Sequence, residues 1–340
     1  MAYITFQPSD YFNTVLYTGN GSTNAITGVG FQPDWVWIKR REQIDHVLYD
    51  AVRGVTLNLH SNTNDADDTQ ADGLTAFGTD GFTVGADSKS NANAGTYVAW
   101  NWKANGAGSS NSDGSITSTV SASTTSGVSI VTWTGNSGSI GHGLGVKPAM
   151  IVAKSRGATG GWYVTHKSLS AEMQDNYMFW NTTSANTTNN DIWGGEPTTS
   201  TFSVGSGLIG NTTHVAYVFA EKKGFSKFGS YTGNGNVNGP FIYTGFKPAF
   251  IMLKKTSGTG DWFINDVKRN TFNVVNTQLY PNLDAAEENT NATQLDILSN
   301  GFKLRGTSSN ALNSGNDVYL YMAFAEEPLV SSNNIPATAR

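Results

Sequence analysis

The sequence predicts an all-β protein with three tandem β-sandwich modules of the jelly-roll or lectin-like type. The main observation is a motif that occurs three times: an aromatic-Thr-Gly-Asn segment precedes a proline, an apolar run and a lysine six positions after the proline. The pairs are Pro33 with Lys39, Pro148 with Lys154, and Pro248 with Lys254. Self-similarity of this kind indicates a repeat architecture. Apolar segments are also short and bounded by Gly, Asn and Pro, which favours strands.

The motif divides the chain into units of similar length. Its glycines Gly19, Gly135 and Gly233 lie 116 and 98 positions apart (135−19 and 233−135), which is long enough for each unit to bury a core of its own. The predicted parts are an N-terminal arm at residues 1–12, module one at 13–106, a Gly/Ser linker with an edge strand in ITSTVSA at 107–126, module two at 127–223, module three at 224–330, and a polar C-terminal tail at 331–340.

Within each module the same strands are predicted in the same order. The proline-led strand comes first in the pattern (WVWIKR, AMIVAK, AFIMLK), and an aromatic-rich strand closes the module (TYVAWNWK, HVAYVFAEK, VYLYMAFAE). The proline-led strand is apolar at odd and even positions alike. We therefore expect both of its faces to be buried, between two sheets or between a sheet and a neighbouring chain.

Composition excludes several classes of function. Charged residues make up 14% of the chain, against about 25% in typical globular domains. The formal net charge is −5, so the chain lacks the basic surface of a nucleic-acid-binding protein. The absence of cysteine removes disulfides and cysteine–zinc sites. The N-terminus does not resemble a secretory signal, and the apolar stretches are far shorter than the roughly 20 residues that cross a bilayer, so we expect no membrane insertion.

Modules one and three share an Asp-x-x-Arg segment that follows the second predicted strand. Its residues are Asp50 with Arg53 and Asp266 with Arg269, and module two has His166 and Leu169 at these positions. One interpretation is a ligand-binding site in which a carboxylate and a guanidinium hold a sugar or a partner's backbone. The other is a local ion pair that ties the strand to the next turn, of the kind worth under about 1 kcal/mol when exposed. The second is favoured because module two lacks both charges.

Two pairs of tryptophans lie two positions apart on predicted strands: Trp35 with Trp37, and Trp100 with Trp102. If exposed, such pairs would form a platform for sugar rings, but aromatic residues in alternating β patterns usually belong to the core. The position of Trp100 is occupied by Tyr217 in module two and by Met322 in module three. Variation among bulky residues of this kind is typical of a core position.

No metal, cofactor or catalytic motif is recognisable. One loop carries four aspartates, which suggests calcium, but it does not follow the EF-hand pattern and a solvated loop is the favoured interpretation; these residues are Asp65, Asp67, Asp68 and Asp72. The five histidines form no metal-ligand spacing. Nucleophile-elbow and phosphate-loop motifs are missing, so we expect no enzyme activity and no cofactor. A carboxylate pair for glycoside hydrolysis stays open, although no particular pair is indicated.

The set of motifs resembles a family found in tailed bacteriophages, especially marine ones. The segments that carry the resemblance cover nearly the whole chain: YTGNG, FQPDWVWIK, YDAVRG, YVAWNWK, NSDGSITSTVSA, IGHGLGVKP, FAEKKGFSKFGSYTGNG, YTGFKPAF, YMAFAEEP and NNIPATAR. The resemblance implies a virion structural protein of the tail-fibre-like type, in a family of unknown function. It carries over no catalytic residue and does not distinguish head from tail.

Three functional hypotheses follow from the resemblance and the residue patterns. The first is a non-enzymatic fibre or adhesin component on the phage surface, made in the host cytoplasm, with modules in series and homotrimeric. Residues 1–12 would dock it on other virion proteins, and modules two and three would bind a host cell-surface glycan. The second is a capsid decoration or cement protein that stabilises the shell. The third and weakest is a depolymerase that cuts host glycans. Repeated units that each bind weakly suit the first hypothesis.

Overall fold

The computed structural model describes residues 5–208, 210–290, 294–306 and 312–327. The predicted tail at residues 331–340 and residues 1–4 of the predicted arm lie outside the described residues. The predicted all-β class is confirmed: apart from a 3₁₀ turn at Pro8–Asp10 and the one-turn helix α1 at Ser88–Asn91, the regular structure of the described residues is strand. No helix in these ranges has the length and apolar character needed to span a bilayer.

The strands fall into three sets, which we name the first, second and third repeats. The first repeat contains β1 (Phe12–Thr18), β2 (Asn24–Thr27), β3 (Trp35–Arg40), β4 (Val47–Asp50), β5 (Gly54–Leu59), β6 (Asp68–Thr69), β7 (Leu74–Gly78), β8 (Gly81–Val84) and β9 (Thr96–Trp102). The second contains β10 (Ser109–Asn111), β11 (Ser118–Ser123), β12 (Val128–Thr134), β13 (Gly138–Gly141), β14 (Met150–Ser155), β15 (Trp162–His166), β16 (Asn176–Phe179), β17 (Thr187–Thr188), β18 (Thr201–Val204) and β19 (Thr213–Phe219). The third contains β20 (Ser226–Thr232), β21 (Phe241–Tyr243), β22 (Phe250–Lys255), β23 (Trp262–Asp266), β24 (Thr277–Gln278), β25 (Glu288–Asn289), β26 (Leu295–Leu298), β27 (Gly301–Leu304) and β28 (Val318–Phe324).

Each repeat has a main antiparallel sheet with the same internal order. The orders are β1-β9-β3-β4-β5-β6, β10-β11-β12-β19-β14-β15-β16-β17 and β20-β28-β22-β23. In all three, the closing strand (β9, β19 or β28) lies between the opening strand and the proline-led strand, and the proline-led strand pairs with the next strand in sequence. A smaller sheet accompanies each main sheet, in the orders β2-β8-β7, β13-β18 and β21-β27-β26. The motif repetition in the sequence thus corresponds to a repetition of topology.

The repeated proline lies just before the proline-led strand, at a position where no backbone N–H is needed for the sheet. Proline has no backbone N–H and a fixed φ, so it suits the entry to a strand better than its interior. The residue after each proline donates its N–H to the last residue of the closing strand: Asp34 to Trp102, Ala149 to Phe219 and Ala249 to Phe324, at 2.8, 2.7 and 2.7 Å. Strands β3, β14 and β22 then begin one residue further on.

The motif glycine permits a close backbone approach before the small sheet. A Cβ at Gly19 would lie 2.2 Å from the carbonyl oxygen of Ala92, and one at Gly233 would lie 2.1 Å from that of Ser314. Any larger residue would push the opening strand away from the loop that precedes the closing strand. In the first and third repeats the glycine is therefore a packing requirement, whereas Gly135 of the second repeat has a positive φ of 117°.

The three main sheets share one apolar core, which in the third repeat continues to the small sheet through Ile242, Ile297 and Phe302. Ring contacts join every pair of repeats: Trp35 with Tyr217 at 4.3 Å, Trp102 with Phe250 at 5.6 Å, and Phe219 with Phe324 at 6.1 Å between centroids. The first and second repeats also enclose apolar clusters between their main and small sheets. Both faces of the proline-led strand are buried, as predicted. The shared core differs from the expectation of modules in series, because the other repeats of the same chain cover the second face.

Two predicted segments have more structure than expected. The region predicted as a linker contributes β10 and β11, which extend the main sheet of the second repeat, and β11 corresponds to the edge strand predicted in ITSTVSA. In the predicted arm, Phe12 is fully buried and lies against Phe324 with 5.5 Å between ring centroids. Phe6 packs edge-on against Phe225 at 5.5 Å. The part of the arm from Phe6 onward therefore belongs to the folded body.

Candidate functional site

Asp50 and Arg53 form a buried ion pair at the end of β4. Arg53 donates from its backbone N to Oδ1 of Asp50 at 2.8 Å and from Nε to Oδ2 at 2.5 Å, and both side chains have no exposed surface. The hydroxyl of Tyr217, from the second repeat, donates to the same Oδ2 at 2.9 Å. Burial alone would lower the pKa of Arg53, but the charge of Asp50 outweighs it and raises that pKa. The pair thus connects the first repeat to the second.

Asp266 and Arg269 repeat this geometry in the third repeat. Arg269 donates to Oδ1 of Asp266 from its backbone N at 2.9 Å and to Oδ2 from Nε at 2.6 Å, again with no exposed side-chain surface. Trp100 of the first repeat donates from Nε1 to Oδ2 of Asp266 at 3.1 Å. The guanidinium carbon of Arg269 lies 5.7 Å from the centroid of the Trp100 ring. This pair connects the third repeat to the first.

The four predicted site residues are therefore brought together in pairs, but inside the protein. A ligand outside the fold cannot touch side chains without exposed surface, so the contacts describe internal ties between repeats. The alternative of a local ion pair at the strand end has the geometry that is observed, but both pairs are buried, so the stability expected of an exposed pair does not apply. Charges removed from water need complete pairing, and each carboxylate here receives backbone, guanidinium and aromatic donors.

At the equivalent junction between the second and third repeats, a histidine replaces the buried Asp–Arg pair. His166, the equivalent of Asp50, accepts a hydrogen bond at Nδ1 from the backbone N of Ser168 at 3.0 Å, which leaves Nε2 as the donor to the carbonyl oxygen of Tyr321 at 3.3 Å. Burial lowers the pKa of His166 to about 3. Leu169, the equivalent of Arg53, packs against the shared core. The three junctions form a closed cycle: first to second, second to third, and third to first.

A second set of contacts also links the repeats in a cycle, in the order second to first, third to second, and first to third. At equivalent positions on β15 and β23, Trp162 donates from Nε1 to the carbonyl oxygen of His60 at 2.8 Å, and Trp262 donates to that of Phe179 at 3.0 Å. In the first repeat His46 takes this place: Nε2 lies 2.8 Å from the carbonyl oxygen of Tyr280. Each repeat is thus tied to both others. Trp162 and Trp262 lie eight positions after a strand-ending lysine (162−154 and 262−254), and with a one-residue gap His46 takes the corresponding place after Lys39, but the partners are not visible in the sequence.

The strand-ending lysines are buried, and two of them also bridge repeats. Lys154 donates from Nζ to the carbonyl oxygen of Asn64 at 3.3 Å, and Lys254 donates to that of Thr183 at 3.2 Å. Burial lowers the pKa of each lysine, Lys39 included, to about 8. Their repetition in the sequence reflects a structural requirement at the ends of β3, β14 and β22.

The acidic loops also contact neighbouring repeats. Asp67 accepts from Nε of Arg156 at 2.6 Å, and Glu287 pairs with Arg41 at 2.5 Å and with Arg269 at 3.1 Å. Arg41 and Arg156 both lie two positions after a strand-ending lysine, so the offset was a readable signal that the sequence interpretation missed. Within the described ranges, no three His, Cys, Asp or Glu side chains group in a way that could hold a metal ion.

The tryptophans predicted as core residues are confirmed as such. Trp35, Trp37, Trp100 and Trp102 have no exposed surface. They belong to the shared core and not to a surface platform.

Exposed aromatic side chains occur instead on the small sheet of the third repeat. Phe241 is 46% exposed and Tyr243 is 57% exposed; they lie two apart on the edge strand β21, with the buried Ile242 between them. The strand registers place Ala25 and Thr27 of β2, and Ser139 and Gly141 of β13, at the equivalent positions. Lys303 faces Phe241 across the ladder, and its Nζ donates to Asn238 at 2.7 Å. An alignment of the three repeats would have shown this aromatic pair.

Residues 7–328 match the family described as Domain of unknown function (DUF7483). The chain belongs to this family. Among curated proteins and among solved structures, no match was found. The DUF7483 match spans the strands of all three repeats, so in this chain the family unit is the complete set of repeats arranged around the shared core.

Proposed function

We propose that the chain is a non-enzymatic structural protein on the surface of a bacteriophage virion, made in the host cytoplasm, and that it binds a glycan of the host cell. The motif resemblance supports the virion assignment. A structural role is supported by the commitment of the conspicuous charged pairs, Asp50–Arg53 and Asp266–Arg269, to internal contacts. In this proposal each repeat is a β-sandwich of the jelly-roll or lectin-like type, made of one main and one small sheet.

The observation that carries the binding proposal is the aromatic face of β21. Phe241 and Tyr243 lie two apart on a strand, as the tryptophan pairs do, but they are exposed whereas the tryptophans are buried. Aromatic rings present a large flat apolar surface, and the tyrosine adds a polar group at its edge. Polar neighbours, Lys303 and Asn238, flank the rings. Apolar ring faces beside hydrogen-bonding groups match the alternating CH and OH surfaces of a sugar.

The test replaces these residues with those of the first repeat, in the double variant Phe241→Ala/Tyr243→Thr. Because the side chains point outward, we expect an unchanged melting temperature and at least about tenfold weaker binding to host cells, equivalent to about 1.4 kcal/mol. The matched control is Leu16→Thr, which gives an exposed residue of β1 the identity of its equivalent in the second repeat. Equal cell binding by the wild type and the double variant would contradict the proposed glycan contact.

A second candidate function, capsid decoration, is favoured by the closed arrangement of three similar repeats. A body with approximate three-fold character can present similar surfaces to three neighbouring shell proteins, as symmetric contacts require. Mass spectrometry of separated heads and tails distinguishes the candidates: presence on heads alone supports decoration, and presence on tails supports the fibre or adhesin. Release of reducing sugar from host glycans would instead support the weaker depolymerase alternative and contradict a non-enzymatic role.

Two further parts of the proposal concern assembly. Docking on other virion proteins is proposed for the first residues of the chain, and deletion of residues 1–4 tests it because this leaves Phe6 and Phe12 in place. Self-association as a homotrimer is also proposed. Three repeats of one chain already cover the proline-led strands, so a trimer is not needed to bury them. Sedimentation of the purified protein at one-chain mass would rule the trimer out.

A further inference from the structure

The main sheet of the second repeat is wider than those of the other two. Strands β1 and β20 are the edge strands of their sheets, whereas the equivalent β12 pairs with β11, and β11 pairs with β10. The added hairpin creates a surface that the first and third repeats do not have. This surface lies in a different repeat from the aromatic pair on β21, so the inference below does not depend on the proposed function.

A cavity of about 420 Å³ lies on this widened sheet. Its volume is within the range of about 300–1,000 Å³ that is usual for small-molecule sites. Ile116, Trp133 and Arg156 line it together with seven hydroxyl-bearing residues. The hydroxyl of Ser118 donates to the carbonyl oxygen of Gly141 at 3.2 Å. The other six hydroxyls belong to Ser110, Thr117, Thr119, Thr132, Thr134 and Thr213. Polar groups therefore predominate around the space.

The strand registers place these hydroxyls in rows on one face of the sheet. Ser110 lies opposite Thr119, and Thr119 lies opposite Thr132, so three adjacent strands contribute one row. Thr134 lies opposite Thr213 in the next row on the same face. Directly opposite residues in antiparallel strands have Cβ atoms about 5 Å apart, so the hydroxyls form a closely spaced array.

The polar groups of this array are available to a ligand. None of the six hydroxyls makes a hydrogen bond to another group within the described part of the chain, and each can both donate and accept. Arg156 donates from Nε to Asp67, and its two terminal nitrogens have no protein acceptor among the described residues. The pairing with Asp67 also balances the positive charge, so the cavity does not select strongly for an anion.

We infer that this cavity binds one neutral sugar unit. A sugar ring presents several hydroxyls that donate and accept in many directions, and the rows of serine and threonine hydroxyls offer matching partners. The terminal nitrogens of Arg156 supply fixed donors at one end, and Ile116 supplies an apolar contact at the other. The ligand class follows from the lack of an uncompensated charge and from the density of hydroxyls.

The test is an NMR titration of the full chain, labelled with ¹⁵N, with the methyl glycosides of glucose, galactose, mannose and N-acetylglucosamine. We expect at least one glycoside to shift the amide signals of residues 117–119 and 132–134. In the variant Thr119→Val/Thr132→Val, which loses two hydroxyls and keeps the side-chain shape, that affinity falls about 25-fold, or about fivefold for each hydrogen bond. The control Thr18→Val, at the position in the first repeat that is equivalent to Thr134, binds like the wild type.

Three outcomes would overturn the inference. The first is that no glycoside shifts these signals in the wild type. The second is that the double valine variant, with an unchanged amide spectrum in the absence of sugar, binds as well as the wild type. The third is that inorganic sulfate shifts the same signals and displaces the glycoside, which would identify an anion site at Arg156. Failure of the Phe241→Ala/Tyr243→Thr test would leave this inference unaffected, because the two surfaces lie in different repeats.

Discussion

The junction between the second and third repeats is built differently from the other two. At the first–second junction Asp50 accepts a hydrogen bond from Tyr217, and at the third–first junction Asp266 accepts one from Trp100. At the second–third junction His166 donates to a main-chain carbonyl oxygen. The direction of the hydrogen bond is reversed, although all three residues occupy the same register position.

The difference shows that the neighbouring repeat decides which residue a junction needs. The closing strands of the first and second repeats present Trp100 and Tyr217, which have a donor group. The equivalent residue of the third repeat is Met322, which has none, so only the backbone carbonyl remains as a partner. A carboxylate suits the first situation and a neutral histidine suits the second. The arginine then follows from the carboxylate, because a buried charge requires a partner, and Leu169 suffices beside His166.

The largest expected effect comes from breaking one ion pair. In Arg269→Leu the carboxylate of Asp266 stays buried without its counter-charge, and we expect a loss of about 3–5 kcal/mol in the free energy of unfolding. Urea denaturation with circular dichroism measures it. The matched control is Arg305→Leu, which removes an exposed partner of Asp296 in the same repeat and should cost less than about 1 kcal/mol. Equal losses in both variants would contradict the importance of burial.

A smaller loss is expected when the third repeat is given the residues of the second. The double variant Asp266→His/Arg269→Leu leaves no carboxylate without a counter-charge, because Glu287 keeps its pair with Arg41. Trp100 loses its acceptor, and Glu287 and the carbonyl oxygen of Ile264 each lose a donor. We expect a loss of about 2–3 kcal/mol, less than in Arg269→Leu alone although two residues change. A loss larger than that of the single variant would show that the junction needs the ion pair itself. The same denaturation experiment gives the comparison.

Acid should weaken the histidine junction. The pKa of His166 is about 3 in the folded protein and 6.5 when the group is unperturbed, so between these values the unfolded chain binds more protons. Stability therefore falls as pH falls through this window, by about 2 kcal/mol from this one residue between pH 7.5 and pH 5. In His166→Gln that part of the pH dependence disappears. Parallel stability–pH curves for the two proteins would contradict the assignment.

The sequence predicted the strands well because each carries its own signal. The proline-led strands at β3, β14 and β22 and the closing strands at β9, β19 and β28 lie where the sequence has short apolar runs. The burial of both faces of β3 was also predictable, because Trp35, Val36, Trp37 and Ile38 are all apolar. What covers the second face was not predictable, since the contact between Trp35 and Tyr217 joins residues far apart in the chain.

The Asp-x-x-Arg segments illustrate the same limit at the candidate site. Their pairing within one repeat was readable from the spacing of Asp50 and Arg53, which places both at one strand end. Their burial depends on Tyr217 and Trp100, which come from other repeats, so the sequence indicated a local ion pair but not its burial. The loss of both charges in the second repeat was interpreted as dispensability. It reflects instead the different partner that the third repeat offers.

The smallest expected effect comes from removing the hydroxyl that donates to a junction carboxylate from the neighbouring repeat. Tyr217→Phe removes the donor to Asp50 but leaves the Arg53 pair in place, so we expect a loss of about 1.5 kcal/mol, the lower end for a hydrogen bond to a charged group. The control is Tyr163→Phe, a buried tyrosine of the same repeat whose hydroxyl has no hydrogen-bond partner in the described ranges, and it should change stability by less than about 0.5 kcal/mol. If Tyr217→Phe is equally neutral, the arginine alone satisfies Asp50, and the choice of carboxylate or histidine at a junction does not depend on the neighbouring repeat.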